Sequence, residues 1–185
     1  MLPHRIYEEI IAHAREGYPE EICGLISGRV ENGTGRAYAL YRARNVAEDR
    51  TVNYAVDPQT LLKQIEFEER GEVLVAIYHS HPESPAYPSA TDARQAYYPD
   101  SVYIICSLQD WEHPELRGWH LVQGPVDEIE EVPVDLPPVA GREGLWARHV
   151  VLAAGKARYE LCWREGTTLW RQTVDVQEVP LEIVP

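Results

Sequence analysis

Apolar positions along this chain repeat with two periods, and the switches between them mark out its elements. Ile6, Ile10, Ile11 and Ala14 recur at helical spacing, which predicts a helix over residues 4–16 with one apolar stripe, ended by Gly17-Tyr18-Pro19. Residues 22–30 and 37–44 read as strands, with Glu31-Asn32-Gly33 supplying the turn between them. Asp57-Pro58 opens a second helix running to about residue 69, with Leu61, Leu62, Ile65 and Phe67 as its apolar positions. Residues 73–78 carry no polar side chain and read as a central strand buried on both faces. A short helix over 90–96, a buried strand over 102–107, an exposed turn around 110–114 and a strand over 116–122 follow.

The texture changes near Gly124. An acidic run from Asp127 to Glu131, then Pro133, Pro137 and Pro138, then Gly141 and Gly144, read as a linker. Residues 147–153, 158–163 and 169–179 read as strands, and the alternating Trp163, Trp170, Val174 and Val176 suit a small core or a dimer face. The expected class is α/β or α+β: a mixed β-sheet flanked by helices, with a β-rich C-terminal extension. The expected boundaries are 1–124 for the main domain, 125–144 for the linker and 145–185 for the extension, which would serve docking or a homodimer rather than catalysis.

Composition narrows the partners. The 185 residues are 44% hydrophobic, enough for a sizeable core, and carry a net charge of −13. Nucleic acid and anionic membrane are poor partners for such a surface, whereas a basic protein is steered toward it. No run approaches the roughly 20 apolar residues of a membrane-spanning helix, and the first residues lack the apolar stretch of a signal peptide, so a cytoplasmic location is expected. Cys23, Cys106 and Cys162 lie far apart in apolar surroundings without CxxC spacing, and are expected to be small core residues.

Candidate chemistry gathers after the central strand, in Tyr78-His79-Ser80-His81-Pro82, with Ser89 and Asp92 beyond it. Histidines at alternate strand positions face one side and can hold one ion together. Pro82 stops the strand, and the proline-rich loop to Pro88 is stiff. Ser89 followed three residues later by an acid is a helix-start signature; Asp92 in that first turn can also reach back toward an ion. Two imidazoles, a carboxylate and water make a catalytic rather than a structural zinc set. Upstream, Glu20 and Glu21 read by themselves as solvated acids at a strand start. The binuclear HxHxDH pattern is absent, since Glu83 and Ser84 stand where Asp and His are needed. HExxH and glycine-rich phosphate loops are missing too. His4, His13, His113, His120 and His149 have no partner spacing and read as surface or structural.

Pro19-Glu20-Glu21-Ile22-Cys23-Gly24-Leu25-Ile26-Ser27-Gly28, with His79-Ser80-His81-Pro82, Ser89 and Asp92, resembles the JAMM (MPN-plus) metalloprotease family. The family's pattern is Glu, HxH, seven residues, Ser, two residues, Asp, and each position is filled. The resemblance covers about residues 1–122, including Tyr54-Ala55-Val56-Asp57-Pro58, and is silent on the tail. It implies a peptidase or isopeptidase with one Zn²⁺ per chain held by His79, His81 and Asp92. It further implies that Glu21 is the general base and Ser89 the oxyanion donor. The short upstream region looks like the prokaryotic branch, whose members process the tail of ubiquitin-like sulfur-carrier proteins or their conjugates. The competing readings are a non-catalytic scaffold of the same fold and a peptidase acting on cell-wall or other small peptides.

Overall fold

The structure, a computed structural model, describes every residue except Ala154. Its elements are β1 (Leu2–Pro3), α1 (His4–Gly17), β2 (Cys23–Glu31), β3 (Thr34–Ala43), α2 (Pro58–Leu61), α3 (Lys63–Glu69), β4 (Val73–His81), α4 (Ala90–Arg94), β5 (Val102–Ser107), β6 (Glu115–Gln123), β7 (Asp127–Ile129), β8 (Leu145–Val151), β9 (Ala157–Glu165), β10 (Thr168–Val179) and β11 (Ile183–Val184). Helices beside a mixed sheet make this the expected α+β class. The chain divides into two compact units: Met1–Tyr87 with Asp100–Gly118 and Val179–Pro185, and Pro88–Pro99 with Trp119–Glu178.

In the first unit the strand order is β3-β2-β4-β5. β2 runs antiparallel to both β3 and β4, while β4 and β5 are parallel and therefore need the long connection between them. The β2–β3 hairpin turns at Asn32 (φ 52°) and Gly33 (φ 77°), the two positive dihedrals that a tight hairpin demands and that Asn-Gly supplies at low strain. Helix α1 buries Ile6, Ile10, Ile11 and Ala14 in a core shared with Ile26, Ala76, Tyr78, Ile104 and Cys106. Gly24 makes this close packing possible: a Cβ there would lie 2.4 Å from Tyr78 Cε1 and 2.5 Å from the Tyr41 carbonyl oxygen. The two ends of the chain meet in a short parallel ladder, Leu2 opposite Ile183 and Pro3 opposite Val184.

The second helix differs from expectation. It breaks at Leu62 into α2 and α3, where the Ile65 N–H bonds the Leu62 carbonyl in a tightened turn. Of its four apolar positions only Phe67 is fully buried, against Tyr41, while Leu62 and Ile65 are 64% and 58% exposed. The break rotates the two segments relative to the single stripe that the spacing implied.

In the second unit β8, β9 and β10 form an antiparallel meander, and β7 pairs with β10. Residues 125–144 contribute β7 and the buried Leu136, which clusters with Cys162 and Leu169. Trp163, Val174 and Val176 are buried and Trp170 half-buried. Helix α4 joins this unit through Arg94, whose guanidinium lies over the Trp163 ring and pairs with Glu165. No helix among the described residues is long and apolar enough to cross a membrane.

Candidate metal centre

The sequence of β4 explains how its histidines are presented. Tyr78 faces α1, where its hydroxyl bonds His13 Nδ1 at 2.9 Å. Side chains alternate along a strand, so His79 and His81 face the side away from α1. Both are buried, and their Nε2 atoms approach to 3.1 Å. Two nitrogens bound to one tetrahedral zinc at the usual bond length lie about 3.3 Å apart, so the pair is already set at the bite of a single ion.

The tautomer of His81 is fixed by its other nitrogen. His81 Nδ1 lies 2.8 Å from the Pro85 carbonyl oxygen. A carbonyl can only accept, so Nδ1 carries the proton and Nε2 presents a lone pair, the arrangement that orients a metal-binding imidazole. The loop that supplies Pro85 is pinned in turn, since Ser107 Oγ donates to the Ser84 carbonyl at 2.7 Å and the Leu108 N–H to that of His81 at 3.0 Å. Proline content predicted a stiff loop; these bonds hold it to the end of β5.

Asp92 sits at the third position of α4. The Ser89 N–H donates to Asp92 Oδ2 at 2.7 Å and the Asp92 N–H to Ser89 Oγ at 3.1 Å, a reciprocal cap that locks the carboxylate rotamer. The helix-start and ligand readings of this segment are therefore compatible. Ser89 Oγ accepts through a lone pair, which leaves its O–H as a donor. One donor atom each from His79, His81 and Asp92 lie within 4.8 Å of one another, and all three residues are buried. Two imidazole nitrogens and a carboxylate oxygen suit zinc and related divalent ions, so the site is able to hold a metal.

Glu21 reaches this neighbourhood through sheet register. Cys23 pairs with His79 across β2 and β4, and the Ser80 N–H bonds the Ile22 carbonyl at 3.1 Å. Continuing that register by two residues sets Glu21 opposite His81. Glu21 is only 7% exposed, contrary to the solvated acid that the residues alone suggested. Cys23 lies on the same register, but the cluster of donor atoms does not include its sulfur. Burial, with smaller contributions from the charges of Asp57 and Glu21, pushes its thiol up to about 12. Cys106 is likewise buried and pushed up to about 12. Of the remaining histidines, His4 lies beside Glu8, His113 beside Asp110 and His149 against Tyr159.

One neighbour escaped the sequence reading. The ring of Tyr54 stacks on His79, with centroids 4.3 Å apart and planes at 20°. Its only sequence signal is its place just before Val56-Asp57-Pro58, which reads as the lead into a helix and says nothing of a histidine 25 positions later.

Comparison with known proteins bears on the same segment. The family described as prokaryotic homologs of the JAB domain matches residues 3–122, which include Glu21, His79, His81, Ser89 and Asp92. The chain belongs to that family. This JAB-domain protein is 38% identical over 121 residues to a desampylase of Haloferax volcanii, covering 60% of this chain and 86% of that one. It is 38% identical over 120 residues to a CysO-cysteine peptidase of Mycobacterium tuberculosis, covering 64% and 80%. A protein of Desulfitobacterium hafniense known from a solution structure superposes with a TM-score of 0.58 at 32% identity, covering 64% of this JAB-domain chain and 83% of the other. The family resemblance drawn from the motif is thereby confirmed, and the tail beyond residue 122 lies outside the match.

Proposed function

We propose that this JAB-domain protein is a zinc-dependent peptidase or isopeptidase that cuts after the C-terminal tail of a ubiquitin-like sulfur-carrier protein or its conjugates. The observation that carries the reading is the convergence of His79, His81 and Asp92 donor atoms within 4.8 Å in a chain similar to a desampylase and a CysO-cysteine peptidase. A purely scaffolding role has no need of two imidazole nitrogens and a carboxylate oxygen brought together at metal-ligand spacing.

His79, His81 and Asp92 hold the ion, one per chain. When bound, zinc supplies Lewis acidity and lowers the pKa of a coordinated water to about 7. Glu21, as general base, takes a proton from the attacking water and delivers it to the leaving amine nitrogen, a role worth about 10² to 10⁴ in rate. The Ser89 hydroxyl donates to the oxyanion that develops on the scissile carbonyl, and one such donor is worth about 3 kcal/mol. The carbonyl carbon gains an oxygen and loses its nitrogen with no covalent enzyme intermediate, so the protonated thiols of Cys23 and Cys106 are not required. The β-rich tail serves substrate docking or homodimerisation, and the reaction belongs in the cytoplasm.

The test is to incubate the purified protein with ubiquitin-like carriers fused at a C-terminal Gly-Gly to a reporter peptide and to locate the cut by mass spectrometry. Cleavage after Gly-Gly that a chelator abolishes and zinc restores is expected. Cleavage indifferent to chelator, or none with any carrier, overturns the proposal.

A further inference from the structure

At the base of the loop between β3 and α2, which Arg44 and Asp57 close by bonding each other, lies a buried amide that takes no part in the proposed chemistry. Asn45 is 9% exposed, and its side chain bonds four backbone groups. Nδ2 donates to the Glu21 carbonyl at 2.8 Å and the Asn53 carbonyl at 2.9 Å; Oδ1 accepts the N–H groups of Ala47 and Ala55, both at 3.0 Å. An amide offers two N–H donors and two lone pairs, so this side chain is saturated, entirely by backbone. Its partners belong to both limbs of the loop and to Glu21, 24 residues upstream.

The loop closed in this way touches the candidate centre twice. Near its tip, the Arg50 carbonyl accepts the Glu21 N–H at 2.6 Å, so both backbone polar groups of Glu21 are held, one by Asn45 and one by Arg50. The Arg50 guanidinium also pairs with the neighbouring Glu20 at 3.1 Å. On the returning limb sits Tyr54, stacked on His79 and flanked by Asn53 and Ala55, the residues that Asn45 binds. The limbs are further joined by the Val46 N–H to the Ala55 carbonyl at 2.9 Å, but nothing in that bond fixes Glu21.

We infer that Asn45 is a positioning residue: through this loop it fixes the backbone of Glu21 and seats the Tyr54 ring that orients His79. The inference rests on the assignment of Glu21 and His79 in the proposed function and adds the element that sets both. A base must lie within hydrogen-bond reach of the proton it takes, and a metal-bound imidazole must keep its plane, so a loosened clip weakens both metal binding and turnover.

The experiment compares the full chain with Asn45→Ala, Tyr54→Ala and Tyr54→Phe. Zinc affinity is read by chelator competition, the ligand field by the visible spectrum of the cobalt(II)-substituted protein, and kcat and KM with the Gly-Gly carrier fusion. Asn45→Ala is expected to bind zinc about 10-fold more weakly, the low end for lost orienting contacts, to alter the cobalt spectrum, and to lose at least about 10-fold in kcat with little change in KM. Tyr54→Ala is expected to share the loss of zinc affinity, and Tyr54→Phe, which keeps the stacked ring, to restore it. Parental zinc affinity in folded Asn45→Ala overturns the inference whatever the rate. Should Asn45→Ala fail to fold, equal zinc affinities for Tyr54→Ala and the parent overturn it instead. If the parent cleaves no carrier fusion, the functional proposal fails while the zinc and cobalt measurements still decide the role of Asn45.

Discussion

Asp92 serves a helix and, as we propose, an ion, and Asp92→Asn separates the two. The amide keeps an oxygen able to accept the Ser89 N–H, which lies 2.7 Å from the carboxylate, and the 3.1 Å bond from the residue 92 N–H to Ser89 Oγ is untouched. Losing a cap outright costs about 0.5–2 kcal/mol, so the metal-free variant, with its cap retained, should lie within about 0.5 kcal/mol of the parent. What disappears is the anionic ligand. Outer-sphere partners alone are worth about 10–100-fold in metal affinity, and a direct ligand belongs at the top of that range or above, about 100-fold. With free zinc at about 100 times the parental Kd, binding stabilises the parent by about 2.7 kcal/mol and a 100-fold weaker variant by only about 0.4 kcal/mol. For a chain of this size, where about 1 kcal/mol moves the melting temperature by about 2–4 °C, zinc should raise Tm by about 5–11 °C in the parent and about 1–2 °C in the variant. Differential scanning calorimetry at matched free zinc measures both, and elemental analysis after gel filtration reports occupancy. A variant that gains as much from zinc as the parent and retains full metal content refutes the ligand assignment.

Glu21→Gln should keep its zinc and lose about 10² to 10⁴ in kcat, since the amide preserves size but cannot take a proton; near-parental turnover removes Glu21 from the base role. His13 is held down to about 4, first by burial and next by the Arg42 charge, with Glu16 opposing. Its unfolded value is near 6.5, so between those two pH values the unfolded chain binds the extra proton. The contribution is full above about pH 6.5 and is lost as pH falls toward 4; His13→Gln should flatten that part of the stability profile in urea titrations, and an unchanged slope contradicts it. Gly24→Ala places a methyl 2.4 Å from Tyr78 and 2.5 Å from a backbone oxygen, so a loss of about 1–3 kcal/mol or more is expected in denaturant melts. A neutral Gly24→Ala means that β2 and β3 can part at little cost.

Much of the fold was legible because its signals are local. The stripe of Ile6, Ile10, Ile11 and Ala14 marks α1, and all four residues are buried where the period sets them. The apolar run before His79 marks β4, although Val73 at its start is 49% exposed, since the strand enters from the surface. Asn32-Gly33 marks its turn through backbone sterics. Leu62 and Ile65 misled because apolar spacing describes an unbroken helix, and the tightened turn between α2 and α3 is not a compositional feature. In the candidate centre, His79 and His81 needed only strand alternation, and Asp92 only its helix-start spacing.

By itself, then, the sequence determined the candidate ligand types, their spacing and the family they resemble, because the candidate ligands all lie between His79 and Asp92. Tertiary structure alone decided that Glu21 is buried, two residues before the strand that pairs with β4, since antiparallel register joins segments more than 50 residues apart. It also decided that Tyr54 lies on His79, and that Asn45, whose bonds all go to backbone atoms that any residue would offer, ties Glu21 to that loop. A hydrogen bond to main chain leaves no trace in the identity of its partner, so it can be read only once the chain has folded.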